Sequence, residues 1–316
     1  MHHYLTEEMQ RKVDYQYTIG PYNIPAITIT PGDTLTVETI DAYAGTITGE
    51  NDLPSVVANP MPFRNPNNGP IFVTDATPGD ALKITIRSIV PRGKWGTSVI
   101  QKDMGILTTM SSHLLKTVDE ITRRFEVSED GVAFNSHMTL PYEPFIGTIG
   151  TSHLIYSIDT LTPGNHGGNM DLPDIAPGAT LYLPVRTKGA YLFLGDCHAR
   201  QGDGEICGSA VEIPATVTMD IDLVKDWSIE WPLLENDDFI MAVGNAKPLE
   251  DAVRLACGNL LKWMCEKYGF NRWDAYFLLS QAAKIRVGNV VDPIFTVGAS
   301  INKQYLLPSK ERKYAD

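Results

Sequence analysis

Ala215-Thr-Val-Thr-Met-Asp-Ile-Asp-Leu223 alternates apolar and polar residues, and a period of two is the mark of a strand with one buried face and one wet face. Ala26-Ile-Thr-Ile-Thr30 and Leu82-Lys-Ile-Thr-Ile-Arg87 repeat the pattern, and Thr180-Leu-Tyr-Leu-Pro-Val185 adds an apolar run of strand length. From Tyr15 to about Leu223, short β-branched and aromatic runs of this kind are cut by Gly, Pro, Asn and Asp, which predicts an all-β region. Three strands are launched by one turn chemistry: Pro31-Gly-Asp-Thr-Leu35, Pro78-Gly-Asp-Ala-Leu82 and Pro177-Gly-Ala-Thr-Leu181. Pro and Gly supply the dihedrals of tight turns and an Asp beside them caps the turn, so Asp33 and Asp80 are read as turn residues rather than ligands.

The C-terminal third changes period. Leu249, Val253, Ala256, Leu260 and Met264 recur at three- and four-residue spacing, which predicts an amphipathic helix over 249–268, stopped at Gly269. Asn271 caps a second helix from Arg272 to about Val287, with Asp274 in the first turn where the helix dipole favours a negative charge. The expectation is one integrated domain: a mainly β, β-sandwich-like body over 1–225, and a C-terminal segment over 226–316 whose helical hairpin packs on it, α+β overall. Between Gly105 and Asn135 the signals mix, Ser111-Ser-His-Leu-Leu-Lys116 resembling a helical turn and Arg123-Arg-Phe-Glu-Val127 a strand.

The 316 residues, 43% of them hydrophobic, can bury a large core. With 26 Lys and Arg against 38 Asp and Glu, the formal charge of −12 repels a phosphate backbone or an anionic membrane. Nucleic acid and membrane are therefore excluded as partners, and a neutral or cationic small molecule is expected. The first residues hold no signal-peptide apolar run and no stretch approaches a membrane span, so the expected location is cytoplasmic. The four cysteines, Cys197, Cys207, Cys257 and Cys265, form no Cys-x-x-Cys pair and are read as reduced thiols.

Chemistry concentrates in glycine frames. Gly195-Asp-Cys-His-Ala-Arg-Gln-Gly-Asp-Gly-Glu205 follows the apolar Ala190-Tyr-Leu-Phe-Leu194 and so lies at a strand end. Asp196 and His198 are two apart, which in extended backbone puts both on one face, as a metal bound through carboxylate and imidazole needs. Asp203 and Glu205 repeat the spacing. Thr162-Pro-Gly-Asn-His-Gly-Gly-Asn-Met-Asp171 lets His166 and Asp171 fold toward one point, Asp41 ends a strand as a further carboxylate, and Asn65-Pro-Asn-Asn-Gly-Pro70 offers amides to a polar substrate. A Gly- and Asp-rich turn with no chemistry is the competing reading of each. His113, His137 and His153 lack such neighbours and are read as structural.

These motifs carry a resemblance. Asn65-Pro-Asn-Asn-Gly-Pro-Ile71, Pro144-Phe-Ile-Gly-Thr-Ile-Gly150, His166-Gly-Gly-Asn-Met-Asp171, Gly195-Asp-Cys-His198 with Gly202-Asp-Gly-Glu205, and Asp274-Ala-Tyr-Phe-Leu-Leu-Ser280 resemble the acetamidase/formamidase family in order and approximate spacing, from about Thr30 to Val297. The resemblance implies a β-rich homo-oligomer, a dimer or larger, that hydrolyses formamide or acetamide with a divalent metal, zinc first; apart from the resemblance, the Asp and Asn content would also suit calcium at a second site. Carried over by motif, Asp196, His198, Asp171 and Asp41 are the implied metal ligands. Glu205, Asp203 and His166 are the catalytic candidates, and Asn65, Asn68, Gly147 and Asn169 the substrate-binding ones. Cys197 departs from the family's pattern and leaves a thiol nucleophile as an alternative, although neighbours on a strand face opposite ways. A non-catalytic β-rich protein binding a polar ligand or calcium is the rival from another class.

Overall fold

The computed structural model describes residues 1–102, 104–109 and 119–306, and the helical turn expected over Ser111–Lys116 lies outside them. Among the described residues there are two large sheets. In the nine-stranded sheet the order from edge to edge is His2–Leu5, Asp33–Glu38, Ala215–Val224, Ala81–Pro91, Thr180–Pro184, Leu233–Glu235, Phe239–Ala246, Phe295–Asn302 and Lys284–Val287. In the ten-stranded sheet Leu192–His198 is central. One side of it pairs with Phe145–Thr151, while the other is shared by Asn67–Val73 at its start and Glu212–Ile213 at its end.

The alternation read in Ala215–Val224 places Val217, Met219 and Ile221 in the core. There they meet Ile71, Ile146, Ile149, Leu192 and Leu194 of the other sheet, so the body is a sandwich closed over one apolar layer. Each expected turn precedes its strand, with Gly32, Gly79 and Gly178 at positive φ. The Asp33 and Asp80 carboxylates accept from the Thr30 and Thr77 amides at 3.0 and 2.9 Å, as turn caps do.

Helix Leu249–Tyr268 ends at Gly269, whose φ of 67° is the left-handed cap geometry. Its buried face, Ala252, Ala256, Leu260, Trp263 and Met264, lies on Ile240, Ala242, Val297, Ala299 and Ile301 of the nine-stranded sheet. Met241 and Val243, one residue out of phase on the same strand, point into the sandwich. Contact is closest at Gly244, where a Cβ would stand 2.3 Å from the Ala252 carbonyl oxygen.

Two expectations are corrected. The second helix is Arg272–Ala282, not Arg272 to about Val287: Asn271 caps it, but Ala283 is extended and Lys284–Val287 pairs as an edge strand with Phe295–Asn302. The segment after 225 is also more than a helical hairpin, because its four strands complete the nine-stranded sheet, and a boundary at 225 would cut through that sheet.

Candidate active site

Asp196 sits where the pairing partner of Leu192–His198 changes: Gly195 pairs with Asn67, Cys197 with Ile213 and His198 with Glu212. The ladder breaks at Asp196, which takes a φ of 54°. Asn65, Asp171 and Glu205, all near it, have φ of 51°, 45° and 48°. Left-handed backbone is costly outside glycine and gathers at functional sites.

The register sets Glu212 beside His198, with Glu212 Oε2 3.0 Å and Asp196 Oδ1 3.5 Å from His198 Nε2. Asp171, His198 and Glu205 form a second group of possible ligands sharing the same imidazole. Gly147, on the adjoining strand, makes the convergence possible: a Cβ there would lie 2.7 Å from Asp171 Oδ1 and 2.8 Å from Asp196 Oδ2.

A polar scaffold fixes the carboxylates. Asn65 Nδ2 donates to Asp196 Oδ2 at 2.8 Å and to Asn169 Oδ1 at 3.1 Å, and Asn169 Nδ2 donates to Asp171 and Asp292 at 2.9 Å each. Gln201 Nε2 donates to the Asp171 and Gly288 carbonyls, so its Oε1 is what faces His198 Nδ1 at 3.0 Å. An amide oxygen accepts only; Nδ1 therefore carries a proton, and whenever the ring is neutral the lone pair of Nε2 is turned toward the carboxylates.

A lone pair facing carboxylate oxygens is unfavourable unless a cation lies among them. Without one, burial pushes the Asp171, Glu205 and Asp292 carboxyls well above the usual range, and burial with carboxylate neighbours brings Glu212 up to about 7. Burial opposes protonation of His198, but Glu212 and Asp196 overcome it and hold its pKa well above the ordinary value. Nε2 and Glu212 Oε2 stand 3.0 Å apart without hydrogen-bond alignment, and Asp171 Oδ1 also has no partner. Ligands at ordinary zinc bond lengths are separated by about 3.3 Å in a tetrahedron, so the spacing and donor set fit a zinc-sized cation. The carboxylates open on a cavity of about 30 Å³ lined by Asn65, Asn169, Asp196, Glu205, Glu212 and Asp292, with Tyr43 and Arg64 across it, space for about two water-sized groups.

Of the residues named from the sequence, Asp171, Asp196, His198 and Glu205 come together. Asn65 and Asn169 line the cavity, but with amides engaged by carboxylates. Gly147 supplies room between carboxylates. The others lie elsewhere. Asp203 is exposed and pairs with Arg286 at 3.0 Å; positive φ at Gly204 and Glu205 breaks the extended spacing that would have aligned it with Glu205. Asp41 Oδ1 accepts from the Tyr43 and Gly45 amides at 2.9 Å each, as a turn cap, outside both ligand groups. Asn68 donates to the Glu38 carbonyl at 3.0 Å, away from the cavity. His166 is fully buried, 5.2 Å from the His153 ring, because strand Gly167–Asn169 carries Asn169 and Asp171 to the site from its far end. Cys197 points into the core, where burial pushes its thiol up to about 12, the reverse of an activated nucleophile.

Glu212, Asp292 and Gln201 were not anticipated. The one signal for Glu212 was an acid between apolar neighbours, Val211-Glu-Ile213; Asp292, in Val290-Val-Asp-Pro293, is brought in from a remote loop.

The model of the Acetamidase/Formamidase family matches residues 21–157 and 154–303. A crystal structure of acetamidase from Yersinia enterocolitica superposes with a TM-score of 0.93 at 48% identity, covering 97% of this chain and 93% of that one. An acetamidase structure from Bacillus halodurans gives a TM-score of 0.87 at 33% identity, covering 96% and 98%. A formamidase of Methylophilus methylotrophus is 29% identical over 156 residues, 42% of this chain and only 38% of that protein. The chain thus matches well under two thirds of the length of that curated relative, yet the family model runs through nearly all of the described fold, and the chain belongs to the acetamidase/formamidase family.

Proposed function

We propose that this protein hydrolyses short linear amides, formamide and acetamide first, to the carboxylic acid and ammonia. The observation that supports this most is the free Nε2 of His198 facing Asp196 and Glu212, two carboxylates that line a cavity of about 30 Å³. Asp196, His198 and Glu212 would hold a divalent ion, zinc in preference to calcium because calcium takes oxygen donors and a nitrogen stands among these. Bound there, zinc would supply Lewis acidity toward the amide carbonyl. Gln201 fixes the His198 tautomer, and Asn65 and Asn169 hold Asp196, Asp171 and Asp292 in place. Glu205, on the cavity wall with its pKa raised by burial and the Asp171 charge, takes a proton from water at its carboxylate and returns it to the leaving nitrogen. Tyr43 and Arg64 also line the cavity, whose volume of about 30 Å³ leaves room for only a small acyl group.

The same reading includes a cytoplasmic homo-oligomer; all four cysteines are free, and among the described residues no helix is long and apolar enough to cross a membrane. Metal analysis paired with ammonia release from formamide and acetamide, with and without chelator, tests the reaction. His198→Ala is expected to lose both zinc and at least 100-fold in kcat/KM; full turnover with stoichiometric zinc in that variant would sink the assignment. Release of no ammonia under any metal would favour a binding protein.

A further inference from the structure

A second, larger space lies on the other side of Glu205. It is a cleft of about 380 Å³ over the Trp95–Ile100, Ile121–Ser128 and Gly131–Asn135 end of the ten-stranded sheet, walled opposite by 200–211. Its size is that of small-molecule pockets. Among the described residues Glu205 is the single side chain lining both this cleft and the cavity of the carboxylates. The sheet side is apolar for a simple reason: Ile121, Arg123 and Phe125 alternate onto one face of their strand, beside Val132 and Phe134 of the next. The Phe125 and Phe134 rings are stacked with centroids 5.7 Å apart, and the Arg123 guanidinium lies 5.8 and 5.7 Å from them. Phe134 and, across the cleft, Ile206 are exposed, so among the described residues apolar surface faces water here with nothing covering it.

We propose that the cleft is an acyl subsite for amides carrying an aromatic group, with phenylacetamide as the probe, so that the substrate range extends beyond one- and two-carbon amides. The inference rests on the amidase reading of the adjoining cavity. An amide whose carbonyl lies against Glu205 has the cleft as the neighbouring room for its acyl substituent. A phenyl ring is suited to stacking on Phe134 under the Arg123 cation, and each methylene buried there raises kcat/KM about fourfold.

The test compares formamide, acetamide, butyramide and phenylacetamide with the zinc-loaded parent, Phe134→Ala and Ile206→Trp proteins. In the parent, kcat/KM rises from acetamide to phenylacetamide. Phe134→Ala lowers the phenylacetamide value on the order of tenfold, Ile206→Trp blocks it by filling the cleft, and both keep formamide turnover within about twofold. Phenylacetamide that is neither cleaved nor inhibitory, while formamide is hydrolysed, overturns this inference alone; failure of every amide overturns the amidase reading with it. Equal losses on formamide and phenylacetamide in Phe134→Ala also overturn it, as does a Phe134→Ala protein that changes oligomeric state in sedimentation but cleaves phenylacetamide like the parent, which assigns the cleft to a second copy of the chain.

Discussion

A methyl group is the smallest addition Gly147 could receive, and the site has no room for it. The added carbon would meet Asp171 Oδ1 and the Asp196 carbonyl at 2.7 Å each. The carbonyl is backbone and cannot swing away, so the two carboxylates must part. Gly147→Ala is therefore expected to keep the fold but lose on the order of 100-fold in kcat/KM, the cost of a misplacement near 1 Å, together with weaker zinc retention in dialysis. A variant with parental zinc affinity and turnover would show that the carboxylates need not converge. The contrast among single residues explains what could be read from the chain. Asp196 and His198 were legible because spacing within one strand puts them together. Glu212 was not, because its place beside His198 comes from strand pairing, and a pairing register is not written in either strand alone. Asp203 and Glu205 share that spacing, but positive φ at Gly204 and Glu205 sends their side chains apart.

At the scale of elements, the strand Phe239–Ala246 and the helix Leu249–Tyr268 form a close junction outside the site. Helix spacing was legible to its last residue because one face is buried and the other wet. The strand was not, because it is buried on both faces, Ile240 and Ala242 toward the helix and Met241 and Val243 toward the sandwich, and alternation vanishes when both faces are apolar. Lys284–Val287 was misread as helix for a related reason: its conformation is dictated by pairing with Phe295–Asn302, a tertiary contact that overrides local preference. The junction depends on Gly244, where a Cβ would stand 2.3 Å from Ala252 O and 2.5 Å from Ala256 N. Gly244→Ala is expected to lift the helix and destabilise the protein by about 1–3 kcal/mol, as overpacking does. Chemical denaturation reads this directly, and an unchanged midpoint would mean that the helix is free to ride over the strand.

For the whole molecule, folding under acid depends on two histidines that the proposed chemistry does not use. His166 and His153 are buried side by side; burial first, with the Arg186 charge and, for His166, the His153 charge added, pulls their pKa values down to about 3 and about 4. An unfolded histidine titrates near 6.5. Both groups are thus neutral in the folded chain at pH 5 and largely protonated in the unfolded one, so the unfolded state holds more protons and stability falls as pH drops. Their contribution is fully present above about pH 6.5, declines below it, and is exhausted once pH has passed the folded values near 4 and 3, each proton being worth about 1.4 kcal/mol per pH unit in that window. The acidic cluster acts with the opposite sign when no cation is bound, since its raised carboxyls bind protons more readily folded than unfolded. The comparison must therefore be between parent and variant at the same metal loading, where that contribution cancels. His153→Gln, which keeps a polar side chain at the buried position, is expected to flatten the decline of the denaturation midpoint between pH 6.5 and 4 while leaving the midpoint at pH 8 little changed. Parallel curves for the two proteins across that range would mean that the buried histidine pair is protonated in the folded state, and that the acid sensitivity lies with the carboxylates instead.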